Sequence, residues 1–384
     1  MPKILHFFHT LKLGGAQSMR LTIIKSLQTY FPDLNHEIIS LQDGELLQEA
    51  EKLGVKIIVL ENRWSRIFCL PKLINQVNKI APDIIHSLPW VPNFFARLIS
   101  KFFLATSPKI ICDFHGTAHL GKLQHFLDRH SFHFADRWLF VTPELRNYFS
   151  QKWGGATNDH RLIVAPNFIE QRFLADNINQ KQQAARQKLV LELGGMPPIF
   201  GLPDTFILGV AARLEPVKRL PMLIQYFADF KKSMSDKNKK LGLLIIGSGP
   251  LQKELADLVR SYQLADATYF GCLPRDKMPL FYKAIDALIL GSESEGQPLV
   301  LMEAATLGTP ILLSANLAAQ SVLFMPQAPV YYFSDQSTFA KLATRLTKQQ
   351  LPRQNYLKPE YFEENVVKVY AKIYDSLLNA KTKL

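Results

Sequence analysis

The chain has 384 residues, of which 47% are hydrophobic and 20% are charged, and its formal net charge is +12. This length exceeds one ordinary core, so we expect two domains. The cation surplus favours acidic partners, although no nucleic-acid-binding module is recognisable. Cys69, Cys112 and Cys272 are isolated, which excludes a Cys-x-x-Cys zinc site. No apolar run reaches about 18 residues, so we predict no membrane-spanning helix.

Short apolar strands alternate with amphipathic helices in the first half of the chain. The predicted strands are 3–8, 36–41, 55–60, 83–88, 109–116, 136–142 and 161–168, and the predicted helices are 16–30 and 71–80. A polar stretch rich in Gln and Asn at 171–187 and a Gly/Pro-rich stretch at 194–204 interrupt this pattern. Together they indicate a connection between two domains.

The same pattern restarts after residue 204. Predicted strands are 205–214, 241–249, 267–273, 287–292 and 310–314, and predicted helices are 220–230, 250–263, 278–285 and 299–307. Such alternation is typical of parallel sheets covered by helices on both faces. We therefore predict an α/β protein of two Rossmann-like domains, 1–185 and 186–359, with their sheets facing an inter-domain cleft. A last helix at about 360–384 is expected to pack back on the first domain.

Sheets of this kind bind ligands at the carboxyl ends of their strands. Gly14 and Gly15 follow the first strand and allow close approach of a ligand to a helix start, although a simple tight turn also explains them. Arg213 and Lys218 follow the first strand of the second half, where two cations suit a pyrophosphate. A solvated basic loop is the alternative explanation.

Two further strand ends carry weaker signals. Gly247 belongs to a Gly-Ser-Gly loop that either holds a base or phosphate edge or merely turns. Leu273 follows the next strand and is placed to contact a flat ligand.

The stretch SESEGQPLVLMEAATLGTP, residues 292–310, places two glutamates around a helix start. Glu295 lies in the loop before the helix, and Pro298 suits its first turn. Glu303 lies inside the helix, where a carboxylate can accept hydrogen bonds from a vicinal diol such as that of ribose. Ordinary solvent-facing carboxylates near a positive helix end would be the alternative.

Arg213-x4-Lys218, the Gly-Ser-Gly-Pro loop and the Glu295-x7-Glu303 element together resemble the retaining nucleotide-sugar glycosyltransferases of family four, which have the GT-B fold. The resemblance extends to Gly14-Gly15, to His115 in DFHGT and to Asn167 in APNFI. It implies that Arg213 and Lys218 bind the donor diphosphate. The implied donor-binding residues are Gly14, Gly15, Asn167, Gly247, Leu273, Gly296, Gln297, Leu299, Val300 and Glu303.

The resemblance also assigns roles around the sugar. It implies that Glu303 binds the ribose, that Glu295 and His115 contact the transferred sugar, and that Gly15 contacts a phosphate or sugar oxygen. A packed strand-end histidine is the alternative for His115.

The sequence departs from the family pattern at three places. Phe168 replaces a frequent Gly, Leu88 replaces a frequent second His, and residues 316–321 replace a frequent Gly-x-x-Glu. These departures concern the acceptor and sugar contacts more than the diphosphate site.

The expected reaction needs fixed positive charge where the leaving diphosphate gains negative charge. The sequence contains no Asp-x-Asp, so Arg213, Lys218 and the helix start at Leu299 are expected to supply this charge without a metal or other cofactor. The expected acceptor is a hydroxyl of a glycan or lipid-linked molecule. A catalytically silent nucleotide-sugar-binding protein and a nicotinamide oxidoreductase stay open as alternatives.

We expect the chain in the cytoplasm, with peripheral contact to the inner face of an anionic membrane. Two segments that mix aromatic and basic residues, 62–68 and 94–103, support this expectation. The second segment is equally suited to a core helix.

Overall fold

A computed structural model of the chain describes residues 1–60, 69–116, 121–153, 159–170, 173, 181–234 and 239–379. It separates into two compact units. Unit 1 comprises Met1–Phe168 and Glu360–Leu384, and unit 2 comprises Ile169–Pro359. None of the helices in the described ranges is long and apolar enough to cross a bilayer.

Unit 1 is built on a seven-stranded parallel sheet with the strand order β3-β2-β1-β4-β5-β6-β7. The strands are β1 (Lys3–Thr10), β2 (Asn35–Gln42), β3 (Lys56–Val59), β4 (Ile84–Leu88), β5 (Lys109–Phe114), β6 (Arg137–Phe140) and β7 (Leu162–Val164). The helices between them are α1 (Gly15–Tyr30), α2 (Leu47–Glu51), α3 (Leu70–Ile80), α4 (Trp90–Phe102), α5 (Lys122–Ser131) and α6 (Pro143–Trp153). The central strands are buried on both faces, which explains their continuous apolar runs.

Unit 2 is built on a six-stranded parallel sheet with the order β10-β9-β8-β11-β12-β13. Its strands are β8 (Thr205–Ala211), β9 (Lys240–Ile246), β10 (Thr268–Gly271), β11 (Ala287–Leu290), β12 (Ile311–Ser314) and β13 (Val330–Phe333). Its helices are α7 (Gln182–Leu193), α8 (Leu220–Ser233), α9 (Gln252–Ser261), α10 (Met278–Ala284), α11 (Leu299–Thr306) and α12 (Gln336–Thr347). The predicted fold class, two Rossmann-like domains with parallel sheets, is confirmed.

The chain returns to unit 1 after unit 2. Helix α13 (Glu363–Leu378) packs on α1, where the Ser26 hydroxyl donates to Glu363 Oε1 at 2.7 Å. Tyr370 and Tyr374 of α13 are fully buried in unit 1. Unit 2 is therefore an insertion between the sheet of unit 1 and its final helix.

Unit 2 begins at Ile169 rather than near 186, because the polar stretch is not only a linker. Its end forms helix α7, whose polar side chains face α10. Gln182 Nε2 donates to Asp286 Oδ1 at 2.9 Å, and Arg186 Nε donates to the Ala284 carbonyl at 2.9 Å. These polar contacts hold the helix, so apolar periodicity alone does not reveal it.

Each sheet has a point where the strand order changes direction. In unit 2 the order runs outward from β8 through β9 to β10, and then continues on the other side of β8 with β11. In unit 1 the corresponding point lies between β1 and β4. Open α/β sheets bind ligands at the carboxyl ends of the strands that flank such a point.

Candidate active site

The most strongly polar strand ends of unit 2 flank its switch point. Strand β8 ends at Ala211, and Arg213 and Lys218 follow it before α8 begins at Leu220. Strand β11 ends at Leu290, and Glu295 follows it. The fold therefore brings both predicted cations and the predicted loop carboxylate to the edge where this sheet class binds ligands.

Lys218 and Glu295 are hydrogen-bonded to each other. Lys218 Nζ donates to Glu295 Oε1 at 2.6 Å, and both side chains are largely buried. The two loops are also joined by a backbone hydrogen bond of 2.8 Å from Glu293 N to the Val217 carbonyl. The ion pair holds the cation and the carboxylate side by side at the strand ends.

Arg213 has a different environment. It lies in the loop after β8 rather than inside the strand, with 59% of its side chain exposed. Its guanidinium contacts Glu215 Oε1 at 2.7 Å. An exposed pair of this kind is weak, so the arginine is available to an anionic ligand.

Helix α11 begins at Leu299 with Pro298 as its N-cap in an extended conformation. The first N–H groups of a helix have no partner within it, and they form its positive end. Leu299 and Val300 are half-buried there, Gln297 is buried, and Gly296 is half-buried. These four predicted donor-binding residues thus share one helix start with Glu295.

Glu303 is more enclosed than a solvent-facing helical carboxylate. Its side chain is buried, and the Tyr282 hydroxyl of α10 donates to Glu303 Oε2 at 2.5 Å. Burial and the neighbouring Glu303 charge raise the pKa of Tyr282 well above its usual range, so the hydroxyl keeps its proton. Tyr282 therefore orients this carboxylate, and no sequence motif indicated that partner.

The loop that departs from the family pattern supports the Glu295 loop. Asn316 Nδ2 donates to the carbonyls of Ser292 at 3.0 Å and Glu293 at 2.6 Å. Gln320 Nε2 donates to the Gly296 carbonyl at 3.0 Å. Both amides lie in a 3-10 segment, Ala315–Leu323, directly after β12. The residues that depart from the family pattern thus have a defined structural part, since their amides hold the Glu295 loop in place.

The Gly-Ser-Gly loop has a structural explanation. Gly247 has a φ of +144°, and a Cβ there would lie 2.0 Å from the Ala212 carbonyl oxygen. A Cβ on Gly249 would lie 2.7 Å from the Leu214 backbone. These glycines let the loop pack under the Arg213 segment. Leu273, after β10, is half-buried.

The glycines after β1 behave differently. Gly14 is the N-cap of α1, and Gly15 is its first residue. A Cβ added to Gly15 would meet nothing within 4 Å, so the fold itself does not require glycine there. An open position at a helix start is compatible with close approach of an anionic ligand.

His115 follows β5 and lies against buried charged side chains. Its Nε2 lies 3.0 Å from Asp113 Oδ2, and only 11% of the side chain is exposed. Asp113 is also hydrogen-bonded to Arg20 of α1, and both of these side chains are fully buried. The sequence reasoning missed Arg20 and Asp113, because a charged residue inside an apolar segment carries no motif.

The remaining predicted positions of unit 1 lie inside it. Asn167 and Phe168 are buried after β7, and Leu88 is buried at the end of β4. Arg97 does not support the predicted interfacial role, because it is fully buried in an ion pair with Asp128 at 2.5 Å. Its guanidinium carbon also lies 4.6 Å from the centre of the Trp138 ring. This arginine ties α4 to α5 instead of facing a lipid.

Among the described residues, no group of three or more His, Cys, Asp or Glu side chains is arranged to hold a metal ion.

Two Rossmann-like units with parallel sheets are the architecture of the GT-B class of fold. Residues 13–172 match the model of Glycosyltransferase Family 4, and residues 198–361 match the model of Glycosyl transferases group 1. Each of the two glycosyltransferase models thus matches one half of the chain, and together they cover most of it.

Known relatives and solved structures agree with these matches. The alpha-monoglucosyldiacylglycerol synthase of Streptococcus pneumoniae is 22% identical over 44% of this chain and 38% of its own length. Thus the chain spans well under two thirds of that relative. The amylovoran biosynthesis glycosyltransferase AmsD of Erwinia amylovora is 22% identical over 89% of both chains. Anabaena HepE, solved with UDP and glucose, has a TM-score of 0.73 at 16% identity, covering 98% of this chain and 100% of HepE.

Proposed function

We propose that this chain is a retaining, metal-independent glycosyltransferase. It moves a sugar from a nucleotide-diphosphate sugar to a hydroxyl of a glycan or lipid-linked acceptor, in the synthesis of cell-envelope polysaccharide or glycolipid. One observation carries the proposal. The Lys218–Glu295 pair lies at the switch point of unit 2, beside the start of α11. A diphosphate and the sugar attached to it need this combination of cation, carboxylate and free N–H groups.

The chemical step follows from this arrangement. The bond between the anomeric carbon and the diphosphate oxygen breaks, and its electron pair stays on the phosphate. Arg213, Lys218 and the first N–H groups of α11 stabilise the charge that grows there. The acceptor oxygen then forms its bond to the anomeric carbon on the face that the diphosphate leaves, and its proton passes to the leaving phosphate. Positive charge from side chains and a helix start takes the part that a bound metal plays elsewhere.

A UDP-sugar is the first donor to test. Anabaena HepE, which shares the fold, has been solved with UDP-glucose. Glu303, oriented by Tyr282, is suited to accept hydrogen bonds from the two ribose hydroxyls. The names of the relatives from Streptococcus pneumoniae and Erwinia amylovora support a glycolipid or polysaccharide acceptor.

We propose that the reaction takes place in the cytoplasm at the inner face of a membrane, where a nucleotide sugar can meet such acceptors. Unit 1 exposes 59% of Phe102 and 50% of Phe103 at the end of α4, next to exposed Lys101. Helix α5 also exposes 69% of Leu123 and 56% of Phe126. Aromatic and basic side chains together favour an anionic interface. The other predicted segment, 62–68, lies outside the described residues.

The decisive experiment combines binding and turnover. The chain is incubated with UDP-, GDP-, ADP- and CDP-glucose and with NAD, and thermal stabilisation and release of the nucleotide diphosphate are measured. We expect stabilisation and slow donor hydrolysis with one nucleotide sugar, unchanged by EDTA. Binding without release, even with added acceptors, would indicate a catalytically silent binding protein. Stabilisation by NAD alone would indicate an oxidoreductase.

The stereochemical part of the proposal is tested separately. Once an acceptor is found, proton NMR of the product reports the anomeric configuration. An axial donor linkage should give an axial product linkage. Inversion, or loss of transfer on chelation, would overturn retention or metal independence respectively.

A further inference from the structure

The imidazole of His115 is held by a buried chain of charged groups in unit 1. His115 Nε2 lies 3.0 Å from Asp113 Oδ2, and the same carboxylate oxygen contacts the guanidinium of Arg20. Arg20 and Asp113 are fully buried. Contact between His115 and the donor sugar does not by itself require a fully buried arginine behind Asp113. The series of charged groups formed by Arg20, Asp113 and His115 therefore needs its own explanation.

The charge state of Asp113 decides which nitrogen of His115 carries the proton. Burial raises the pKa of Asp113, but the charges of His115 and Arg20 and the hydrogen bond from His115 act together to lower it below its usual value. The carboxylate is therefore ionised and can only accept hydrogen bonds. Nε2 of His115 must then be the donor of the 3.0 Å contact. In the neutral ring this leaves Nδ1 as the acceptor.

Nδ1 of His115 has no hydrogen-bond partner within the part of the chain that the structure describes. An enclosed imidazole acceptor without a partner is costly in a finished core. A hydroxyl group of a ligand would satisfy it. The strand-end position of His115 is where such a ligand is expected in this sheet class.

Arg20, at the other end of this series of charged groups, is held in part by side chains of α13. Arg20 Nη1 lies 2.9 Å from His86 Nδ1, and the Tyr374 hydroxyl lies 2.8 Å from the same nitrogen. Burial, followed by the charge of Arg20, lowers the pKa of His86 well below its usual value, so this ring is neutral and accepts. Arg20 also lies over the ring of Tyr370, at 5.6 Å from its centre. The guanidinium is therefore immobilised before it meets Asp113.

We propose that Asp113 is a positioning residue, fixed by Arg20, that sets the tautomer of His115 so that Nδ1 accepts a hydrogen bond from a hydroxyl of the transferred sugar. This inference rests on the proposed function, because it assigns the ligand of Nδ1 to the donor sugar. Removing the partner that orients a metal-bound histidine typically costs about 10- to 100-fold in affinity or activity, and we expect a comparable loss for a histidine that binds a sugar hydroxyl.

The test combines NMR with kinetics. Long-range proton–nitrogen spectra of histidine-labelled protein identify the protonated ring nitrogen, and His115→Gln assigns the signal. We expect the Nε2–H form in the native protein and a changed ratio in Asp113→Asn, whose amide can donate to Nε2. Asp113→Asn should lower kcat with the best UDP-sugar about tenfold or more and leave the binding of UDP unchanged. In a His115→Ala background the same substitution should change kcat less than twofold.

Two further variants keep the test interpretable. Ser26→Ala removes a buried hydroxyl that joins α1 to α13 without touching Arg20, Asp113 or His115, and its kcat should stay within about twofold of the native value. If Asp113→Asn fails to fold, Arg20→Gln combined with Asp113→Asn removes both buried charges and should show the same loss of kcat.

The outcomes separate this inference from the proposed function. A native Nδ1–H tautomer overturns the inference even if sugar transfer is robust. Equal losses in Ser26→Ala and Asp113→Asn would reduce Asp113 to a structural role. If no nucleotide sugar turns over, the proposed function fails, while the NMR measurement still decides whether Asp113 sets the tautomer.

Discussion

Lys218 and Glu295 meet at 2.6 Å with most of each side chain buried, so neither can move without disturbing the other. Lys218→Ala should reduce kcat by about 100-fold or more, because a fixed cation facing the leaving group typically contributes that much. The same direction is expected for Arg213→Ala, with a smaller effect because its side chain is 59% exposed. Steady-state kinetics with the best nucleotide sugar measure both.

The control for these substitutions is Lys348→Ala. Lys348 is the exposed C-cap residue of α12, at the helix end opposite the carboxyl ends of the strands. It should retain native kcat. Near-native activity in both Lys218→Ala and Arg213→Ala would remove these cations from the reaction.

Glu303 and Tyr282 form a second pair, with different kinetic consequences. Glu303→Ala should raise the donor KM more than it lowers kcat, because ribose is held equally in the ground and transition states. Tyr282→Phe keeps the carboxylate but removes the hydroxyl that orients it at 2.5 Å, so a smaller rise in KM, of about severalfold, is expected. Donor affinity measured by calorimetry should follow the same order. Unchanged donor affinity in Glu303→Ala would contradict the ribose-binding role.

At the scale of an element, the 3-10 segment Ala315–Leu323 follows β12 and is hydrogen-bonded to the Glu295 loop. Asn316→Ala removes two hydrogen bonds to that loop, at 3.0 and 2.6 Å, and should cost about 1–3 kcal/mol of stability. Because the loop carries Glu295, kcat/KM for the donor should fall by about tenfold. Gln327→Ala, an exposed amide further along, is the matched control. If Asn316→Ala changes stability but not donor kinetics, the segment is only structural.

Three histidines lie side by side on neighbouring strands. His36 of β2 contacts His6 of β1 at 3.0 Å, and His6 is in register with His86 of β4. Burial lowers the pKa of His36 to about 4, and burial, followed by the charges of neighbouring groups, lowers the pKa values of His6 and His86 well below their usual value. Besides one another, the charged groups near these rings are Arg20, His115 and Asp113, whose Oδ2 lies 3.8 Å from His86 Nε2. The folded strands therefore exclude protons that the unfolded chain accepts.

The sign of the pH dependence follows directly. An unfolded histidine binds its proton below about pH 6.5, whereas the folded rings do so only at lower pH, so stability falls as pH drops from 6.5. For His36 alone the loss between pH 6.5 and 5 is about 2 kcal/mol. Urea unfolding at these pH values should show a smaller loss in His36→Gln, whereas His160→Gln, 82% exposed, should match the native protein. Parallel pH curves for all three proteins would contradict this account.

The elements show what the sequence could and could not predict. The sequence predicts strands with mainly apolar runs, such as β1 and β11, because burial on both faces favours such runs. The sequence predicts a polar connection where helix α7 lies, because Gln182 and Arg186 hold this helix through hydrogen bonds instead of an apolar stripe.

The candidate site divides in the same way. Arg213, Lys218 and Glu295 were predicted at one sheet edge because spacing and strand order place them there. Tyr282 and Asp113 were missed, since a partner supplied from elsewhere in a fold leaves no local pattern. Asn316 was noticed only as a departure from the family.

At the scale of the whole molecule, the exposed apolar surface of unit 1 bears on the proposed contact with a membrane. Phe102 and Phe103 are exposed, while Arg97 of the same helix is enclosed. The protein should cosediment with vesicles that contain phosphatidylglycerol at low salt, and less so at high salt. Phe102→Ser with Phe103→Ser should weaken this binding several-fold.

Leu191→Ser is the control for the vesicle experiment, since it removes a still more exposed apolar side chain from unit 2. It should not change the bound fraction. Protein that remains in the supernatant with acidic vesicles at low ionic strength would show that the membrane contact is absent.

The return of the chain to unit 1 also fixes an order of events during synthesis. The sheet strands of unit 1 leave the ribosome first, but the helix that covers Arg20 with Tyr370 and Tyr374 is made only after unit 2. Until α13 emerges, Arg20 and His86, which are buried in the complete fold, lack the tyrosines that cover them. Unit 2 can therefore complete its core on the nascent chain, whereas unit 1 waits for residues translated after it.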